Sequence, residues 1–273
     1  NQRLINEMDV GENTYGMHFF HTFRMYAVAQ EKMLHIYDHK GTNIHSLHDI
    51  LAPRYLEFLP YHFLLATTCE GPKWRLKYLD VSTGEMAACN IMSSPVRSMV
   101  QNPYNAIIIN GHVTGAITMW SPNMPTPLVA MATHKSAVTS LAVTRDGRHL
   151  ASASIDGNIC FTDLRMMTED TSLRMTGYKN VSSLSYSQRG LLAVSYANTV
   201  EIFDDSHNKV IVQHPGESRQ DIVTSTEFCP YEDFIAVGRY NGVSTVPIPG
   251  SGSRVIDTYE NNIYETTKSF SEA

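Results

Sequence analysis

An all-β fold made of repeated four-stranded sheets, a β-propeller, is what this sequence predicts. Three observations predict it. A turn phrase recurs at a spacing of about 42 residues, a second marker keeps the same beat, and hydrophobicity inside each repeat alternates with a period of two.

The turn phrase appears as LEFLPYHFLLAT (56–67), QNPYNAIIINGHVTG (101–115) and TEFCPYEDFIAVG (226–238). Its Pro-Tyr pairs begin at Pro60, Pro103 and Pro230, about one and then three repeats apart. The two intervening turns fall at Arg145-Asp146-Gly147 and Gln188-Arg189-Gly190, before the apolar runs HLASAS and LLAVSY. The second marker is an apolar-then-acidic pair or its relic: Tyr37-Asp38, Leu79-Asp80, Trp120-Ser121, Thr162-Asp163 and Phe203-Asp204, with a sixth repeat ending at Pro247-Ile248.

Within the fourth repeat, Ala137–Val143 alternates as a strand and Asp146-Gly147 turns the chain. Leu150–Ser154 is a second strand, Asp156-Gly157 a tight turn, and Asn158–Thr162 a third strand. No stretch carries a helical apolar stripe. Four strands per repeat of 40 to 45 residues is the pattern of a WD40-repeat propeller. Such a small sheet cannot bury both faces alone, so successive blades must cover one another. Six repeats span residues 13–250. Residues 1–12 are expected to end a preceding blade, making seven in a longer parent, which a first residue of Asn1 rather than Met also suggests. Residues 251–273 read as an extended tail.

Composition narrows the function. Hydrophobic residues make up 42%, enough for a sizeable core, and the net charge of -6 argues against a domain-wide grip on nucleic acid. Cys69, Cys89, Cys160 and Cys229 are scattered with no CxxC pair, so free thiols are expected rather than a zinc or redox site. No apolar run has the length of a membrane span, and no signal-peptide pattern opens the chain. No catalytic residue, metal site or cofactor is expected. His35, His39, His45 and His48 crowd one segment, but His35 belongs to a strand ending at Asp38 and the others are assigned to the polar connection beyond it. Gly111–Gly115 lacks the Lys-Ser or Lys-Thr of a phosphate loop and reads as a turn between strands.

His134, Ser152 and Asp156 match positions that hydrogen-bond within a WD blade. Thr162 stands where Trp is usual, and Asp163 follows it. Thr162-Asp163-Leu164-Arg165 is a degenerate W-D-x-R motif, the basis of a competing function as substrate receptor of a ubiquitin ligase. Lys73, Arg75, Lys135, Lys179 and Arg239 fall in connections expected to share one rim, a candidate surface for RNA or protein partners. Tyr259, Asn262, Tyr264 and Phe270 in the tail are candidate partner anchors.

Several longer phrases go beyond generic repeats. AVAQEKMLHIYDHKG, LEFLPYHFLLAT, YLDVSTGEMAA, QNPYNAIIINGHVTGAITMWSP, SQRGLLAVS and FCPYEDFIAVG occur in order along the chain. Together they resemble the nucleolar WD-repeat family of the small-subunit processome, associated with U3 small nucleolar RNA, which carries a BING-type C-terminal region after the propeller. Tyr259–Tyr264 is similar to the opening of that region, with Ile263 in place of its usual proline. The resemblance implies a non-catalytic scaffold subunit needed for pre-18S rRNA processing and 40S ribosome biogenesis. It also implies residence in the nucleolus, partners among processome assembly factors with pre-rRNA or U3 small nucleolar RNA as further contacts, and no membrane or small-molecule substrate.

Overall fold

The computed structural model describes residues 8–22, 24–166, 168–169, 175–178, 180–204, 210–215 and 222–253. They form six antiparallel sheets in chain order. The first holds β1 (Thr14–Phe19), β2 (Met25–Gln30), β3 (Met33–Asp38) and β4 (Asn43–Leu51). The second holds β5 (Pro53–Leu59), β6 (Leu64–Cys69), β7 (Arg75–Asp80) and β8 (Met86–Ile91). The third comprises β9 (Val96–Gln101), β10 (Ile108–His112), β11 (Ala116–Trp120) and β12 (Val129–Ala132). In the fourth, β13 (Val138–Val143), β14 (His149–Ser154) and β15 (Asn158–Asp163) pair in order. Two short pieces, β16 (Thr168–Glu169) and β17 (Met175–Thr176), share the outer edge of β15. The fifth runs β18 (Val181–Tyr186), β19 (Leu192–Tyr196), β20 (Thr199–Phe203), β21 (Val210–Pro215). The sixth has three strands among the described residues, β22 (Val223–Phe228), β23 (Phe234–Arg239) and β24 (Gly242–Pro247), where the repeat predicts four.

The apolar–acidic marker closes the third strand of each sheet or sits one residue beyond it, as Asp38, Asp80 and Asp163 show. A physical reason for the acid is visible. Asp80 Oδ1 accepts the Ser82 hydroxyl at 2.6 Å and the Ser82 amide at 2.8 Å, and Asp163 Oδ1 accepts the Arg165 amide at 2.8 Å. The carboxylate thus satisfies backbone donors where the chain leaves the sheet. The Pro-Tyr phrases occupy the turns between first and second strands, with Phe63, Ala106 and Tyr231 at positive φ.

Two compact units divide the chain, the first with the first two sheets and the second with the other four. In the first, Phe20, Ala27, Leu34, Leu56, Phe58 and Leu65 join one buried cluster drawn from both sheets. In the second unit the cores lie between successive sheets. Ile117, Met119, Val138 and Leu150 pack the third on the fourth. Phe161, Val181, Leu192 and Phe203 pack the fourth on the fifth, and Ile202, Val223, Phe228 and Ile235 pack the fifth on the sixth. Each large side chain so buried contributes about 1.5–3 kcal/mol. Alternation along each strand supplies both faces, which is why a period of two suffices to specify the stack.

One feature recurs in all six sheets without an obvious turn signal. The pairing of first and second strands shifts register near the start of the first strand, at Thr14/Gly16, Pro53/Tyr55, Gly111/His112 (opposite Val96 and Ser98), Val138/Ser140, Val181/Ser183 and Val223/Ser225. Such bulges raise local twist and re-aim the next side chain.

Two of the clustered histidines lie elsewhere than expected. His45 and His48 lie within β4, not in a loop, because the edge strand begins at Asn43, directly after the turn at residues 39–41. His35 Nδ1 lies 3.0 Å from the Ser46 hydroxyl across the β3–β4 pair. The Gly111–Gly115 segment ends β10 and turns into β11, as expected of a tight turn.

Candidate interaction surface

The blade hydrogen-bond set is built by strand register. His134, in the β12–β13 connection, places Nε2 2.8 Å from Ser152 Oγ on β14, and Ser152 Oγ donates to the Cys160 carbonyl on β15 at 3.3 Å. Cys160 Sγ is 3.8 Å from His134 Nδ1. His134 and Ser152 therefore meet across the first two strands of the sheet. Asp156 is exposed at the β14–β15 turn, where its backbone amide lies 3.4 Å from Ser154 Oγ. Thr162, at the position where Trp is usual, is fully buried and its hydroxyl has no hydrogen-bond partner among the described residues.

The third sheet retains a Trp and uses it differently. Trp120 Nε1 donates to Thr118 Oγ1 at 2.9 Å, and His112 Nε2 lies 2.7 Å from the same hydroxyl. All three residues are buried, so the set orders the interior of the sheet. Gly115, at φ +84°, carries the chain past the next connection; a Cβ there would overlap the His134 carbonyl oxygen and stand 2.8 Å from the Ser136 carbonyl oxygen. These are structural roles with no reacting group.

Asp163 and Arg165 close the third strand of the fourth sheet. The Asp163 carboxylate is held below the usual range, first by the Arg165 amide hydrogen bond, and Leu164 is buried in the core. The degenerate W-D-x-R stretch is thus a strand end and turn.

The rim residues separate on inspection. Lys73 is exposed in the β6–β7 connection and Lys135 in the β12–β13 connection. Arg75 and Arg239 are not loop residues: the first opens β7 and the second closes β23, because strand pairing runs on to Cys69–Arg75 and Arg239–Gly242. Arg239 is half-buried and its Nη1 donates to the Asn198 carbonyl at 3.3 Å. Lys73 and Arg75 belong to the first compact unit, Lys135 and Arg239 to the second. Lys179, Tyr259, Asn262, Tyr264 and Phe270 lie outside the described residues.

Apolar side chains at this end of the sheets escaped the sequence reading. Val113, Ile155 and Tyr240, at the second-to-third-strand turns of the third, fourth and sixth sheets, are 45%, 41% and 84% exposed, and Ile222 before β22 is 56% exposed. Turn tips are ordinarily polar, so an apolar residue at the same turn in three sheets of one unit is a signal that aligning the repeats exposes. The first-strand serines were likewise missed. Val96-x-Ser98, Val138-x-Ser140, Val181-x-Ser183 and Val223-x-Ser225 repeat at the same beat, and two of these hydroxyls bond the following sheet.

The repeated four-stranded sheets define a WD-repeat β-propeller protein. The chain belongs to the WD-repeat family that carries the BING4CT (NUC141) domain: that domain matches residues 211–273, and the WD domain, G-beta repeat, matches residues 125–163. It is similar to WD repeat-containing protein 46 of Homo sapiens, 35% identical over 276 residues, which cover 98% of this chain and 44% of that protein. It is also similar to U3 small nucleolar RNA-associated protein 7 of Saccharomyces cerevisiae, 32% identical over 286 residues, which cover 97% of this chain and 51% of that protein. The chain thus spans about half the length of the relatives it matches. Among solved structures, a chain in the crystal structure of the mitotic checkpoint complex aligns with a TM-score of 0.76 at 16% identity, over 89% of this chain and 76% of that one, a likeness of fold alone.

Proposed function

We propose that this chain is the propeller of a non-catalytic scaffold subunit of the small-subunit processome, acting in the nucleolus in pre-18S rRNA processing and 40S ribosome biogenesis. The observation that carries the reading is similarity along almost the whole chain to a yeast protein named for its association with U3 small nucleolar RNA. The geometry is consistent with it. The side chains of His134, Ser152, Thr118 and Trp120 are engaged in hydrogen bonds within their own sheets, and the apolar turn tips Val113, Ile155 and Tyr240 offer contact area to protein neighbours. Lys73 and Arg75 in the first unit, and Lys135 and Arg239 in the second, would each add positive charge for assembly factors or RNA, and Lys179, outside the described residues, is a further candidate. The tail residues Tyr259, Asn262, Tyr264 and Phe270 would thread onto a neighbour.

Affinity purification of the tagged protein from nuclear extract, with sequencing of the recovered RNA, tests this. Processome proteins, U3 small nucleolar RNA and the 18S precursor are expected together in the eluate, and depletion should accumulate uncleaved precursor. An eluate lacking all three would overturn the reading.

A further inference from the structure

The end of the sheets opposite the apolar turn tips carries a different chemistry. It is formed by the turns that join first to second strands and third to fourth strands. In the second compact unit these first turns touch one another along the stack. Asn102 Nδ2 donates to the Gly147 carbonyl one sheet later at 3.2 Å, and a Cβ at Gly147 would stand 2.5 Å from Tyr104 Cβ, so the base of the Tyr104 side chain sits against the next turn. Gln188 Oε1 accepts the Tyr231 amide at 3.1 Å and the Ser253 amide at 3.0 Å. The Arg145 guanidinium reaches from the fourth sheet to the sixth, 5.9 Å from the Tyr231 ring centre. The turns form one connected surface rather than separate tips.

Arginine gathers there. Six arginines of this unit lie among the described residues: Arg97, Arg145, Arg148, Arg165, Arg189 and Arg239. Four of them, Arg145, Arg148, Arg165 and Arg189, are on these turns, in a chain whose net charge is -6. Arg148, Arg165 and Arg189 are exposed, and no ion pair among the described residues holds them. The backbone brings two of them together, since the Leu164 amide donates to the Arg148 carbonyl at 2.7 Å, one residue before Arg165. Of the acids at this end, Asp163 and Asp233 each accept a backbone amide, which leaves Asp146, Asp204 and Glu232 as the exposed ones among the described residues. Beside the arginines stands Tyr104 with 81% of its surface exposed.

We infer that this arginine and tyrosine face binds single-stranded RNA, with guanidinium groups on the phosphates and Tyr104 as a stacking platform. The inference deepens the processome reading and rests on it. A guanidinium meets phosphate in a planar, bidentate geometry and also stacks on bases, and an exposed tyrosine ring accepts any base on its face. A protein neighbour is the lesser fit. Val113, Ile155, Ile222 and Tyr240 gather at the opposite end, whereas the exposed apolar side chains here, Leu128, Met166 and Phe234, sit on separate sheets.

The test is fluorescence anisotropy of the full 273-residue chain with a labelled single-stranded RNA of mixed sequence, titrated at several salt concentrations. The Arg148→Glu/Arg189→Glu variant is expected to bind at least about tenfold more weakly and with a shallower salt dependence, since each lost phosphate contact lowers the slope by about one. Tyr104→Ala should weaken binding about tenfold with the salt slope unchanged, the mark of lost stacking. Arg97→Glu, at an exposed arginine on β9 away from these turns, should bind as wild type. Thermal melts confirm that the turn variants fold. The inference is overturned if the wild-type chain binds no RNA at low salt, if the reversal variant binds equally well, or if the reversal costs only the capture of a protein from purified particles. Recovery of the wild-type protein with processome particles is scored separately: its failure sinks the processome reading, whereas its success beside RNA-blind arginines sinks this inference alone.

Discussion

The Ser140 hydroxyl on β13 accepts the backbone N–H of Leu184 on β18 at 2.9 Å, so a side chain in one sheet closes a backbone donor in the next. The relation repeats one sheet later, where Ser183 Oγ accepts the Thr226 amide at 3.2 Å. Both serines follow the bulge at the start of their strand, which turns the hydroxyl toward the neighbouring first strand. Apolar packing is tolerant of small slides between sheets, whereas this hydrogen bond holds one alignment.

Ser140→Ala is therefore expected to destabilise the protein by about 1–3 kcal/mol, because the buried Leu184 amide loses its acceptor. Ser225→Ala, at the equivalent but exposed position of the sixth sheet, should change stability by less than about 0.5 kcal/mol. Urea unfolding midpoints measure the difference; equal midpoints for the two variants would remove the inter-sheet bond from the account of stability.

Thr162→Val is expected to stabilise by about 1 kcal/mol, since it removes a buried hydroxyl that has no partner and keeps the side-chain shape. A thermal melt reads the outcome. A lower midpoint would mean that the hydroxyl is bonded in solution.

Gly115→Ala combines a left-handed backbone at φ +84° with overlap on the His134 carbonyl, whereas Gly84→Ala, at φ +77°, meets nothing within 4 Å. The first should cost well over the 1–3 kcal/mol typical of backbone strain alone, and the second about that strain alone. Denaturant unfolding of the two variants side by side separates the terms, and equal losses would show that the close approach costs nothing.

Asp80→Asn should flatten the acid limb of the stability curve. The Asp80 carboxyl is held below its ordinary range, first by the Ser82 hydroxyl and then by the Ser82 amide. A carboxyl whose folded value is depressed adds stability above its unfolded value of about 3.9, and that contribution is lost as pH falls through the folded value. The gap between wild type and variant should thus be present near neutrality and close below about pH 3.9. Melting temperatures across that range check it; a gap that stays constant with pH would discount the carboxylate.

Much of the architecture was legible because a blade is a local object. Its strands are neighbours in sequence, its turns carry Pro-Tyr or Asp-Gly signals, and its third strand ends on an acid that caps the exit, as at Asp80 and Asp163. His134 and Ser152 were legible for the same reason, being set by register within one sheet. Asp156 and Arg239 were less so. Whether a turn residue uses its carboxylate or its amide, and whether a basic residue stays in a loop or joins a strand, depends on how far pairing extends, which neighbouring strands decide.

By itself the sequence determined the repeat, the strand order and the alternation that buries each sheet, since these follow from contacts between residues close along the chain. Tertiary structure alone decided the partners separated by a whole repeat: Ser140 with Leu184, Asn102 with Gly147, and the meeting of Arg145 with Tyr231. Such pairs arise only when folded sheets are stacked and their turns come level, and no local propensity encodes that distance in advance.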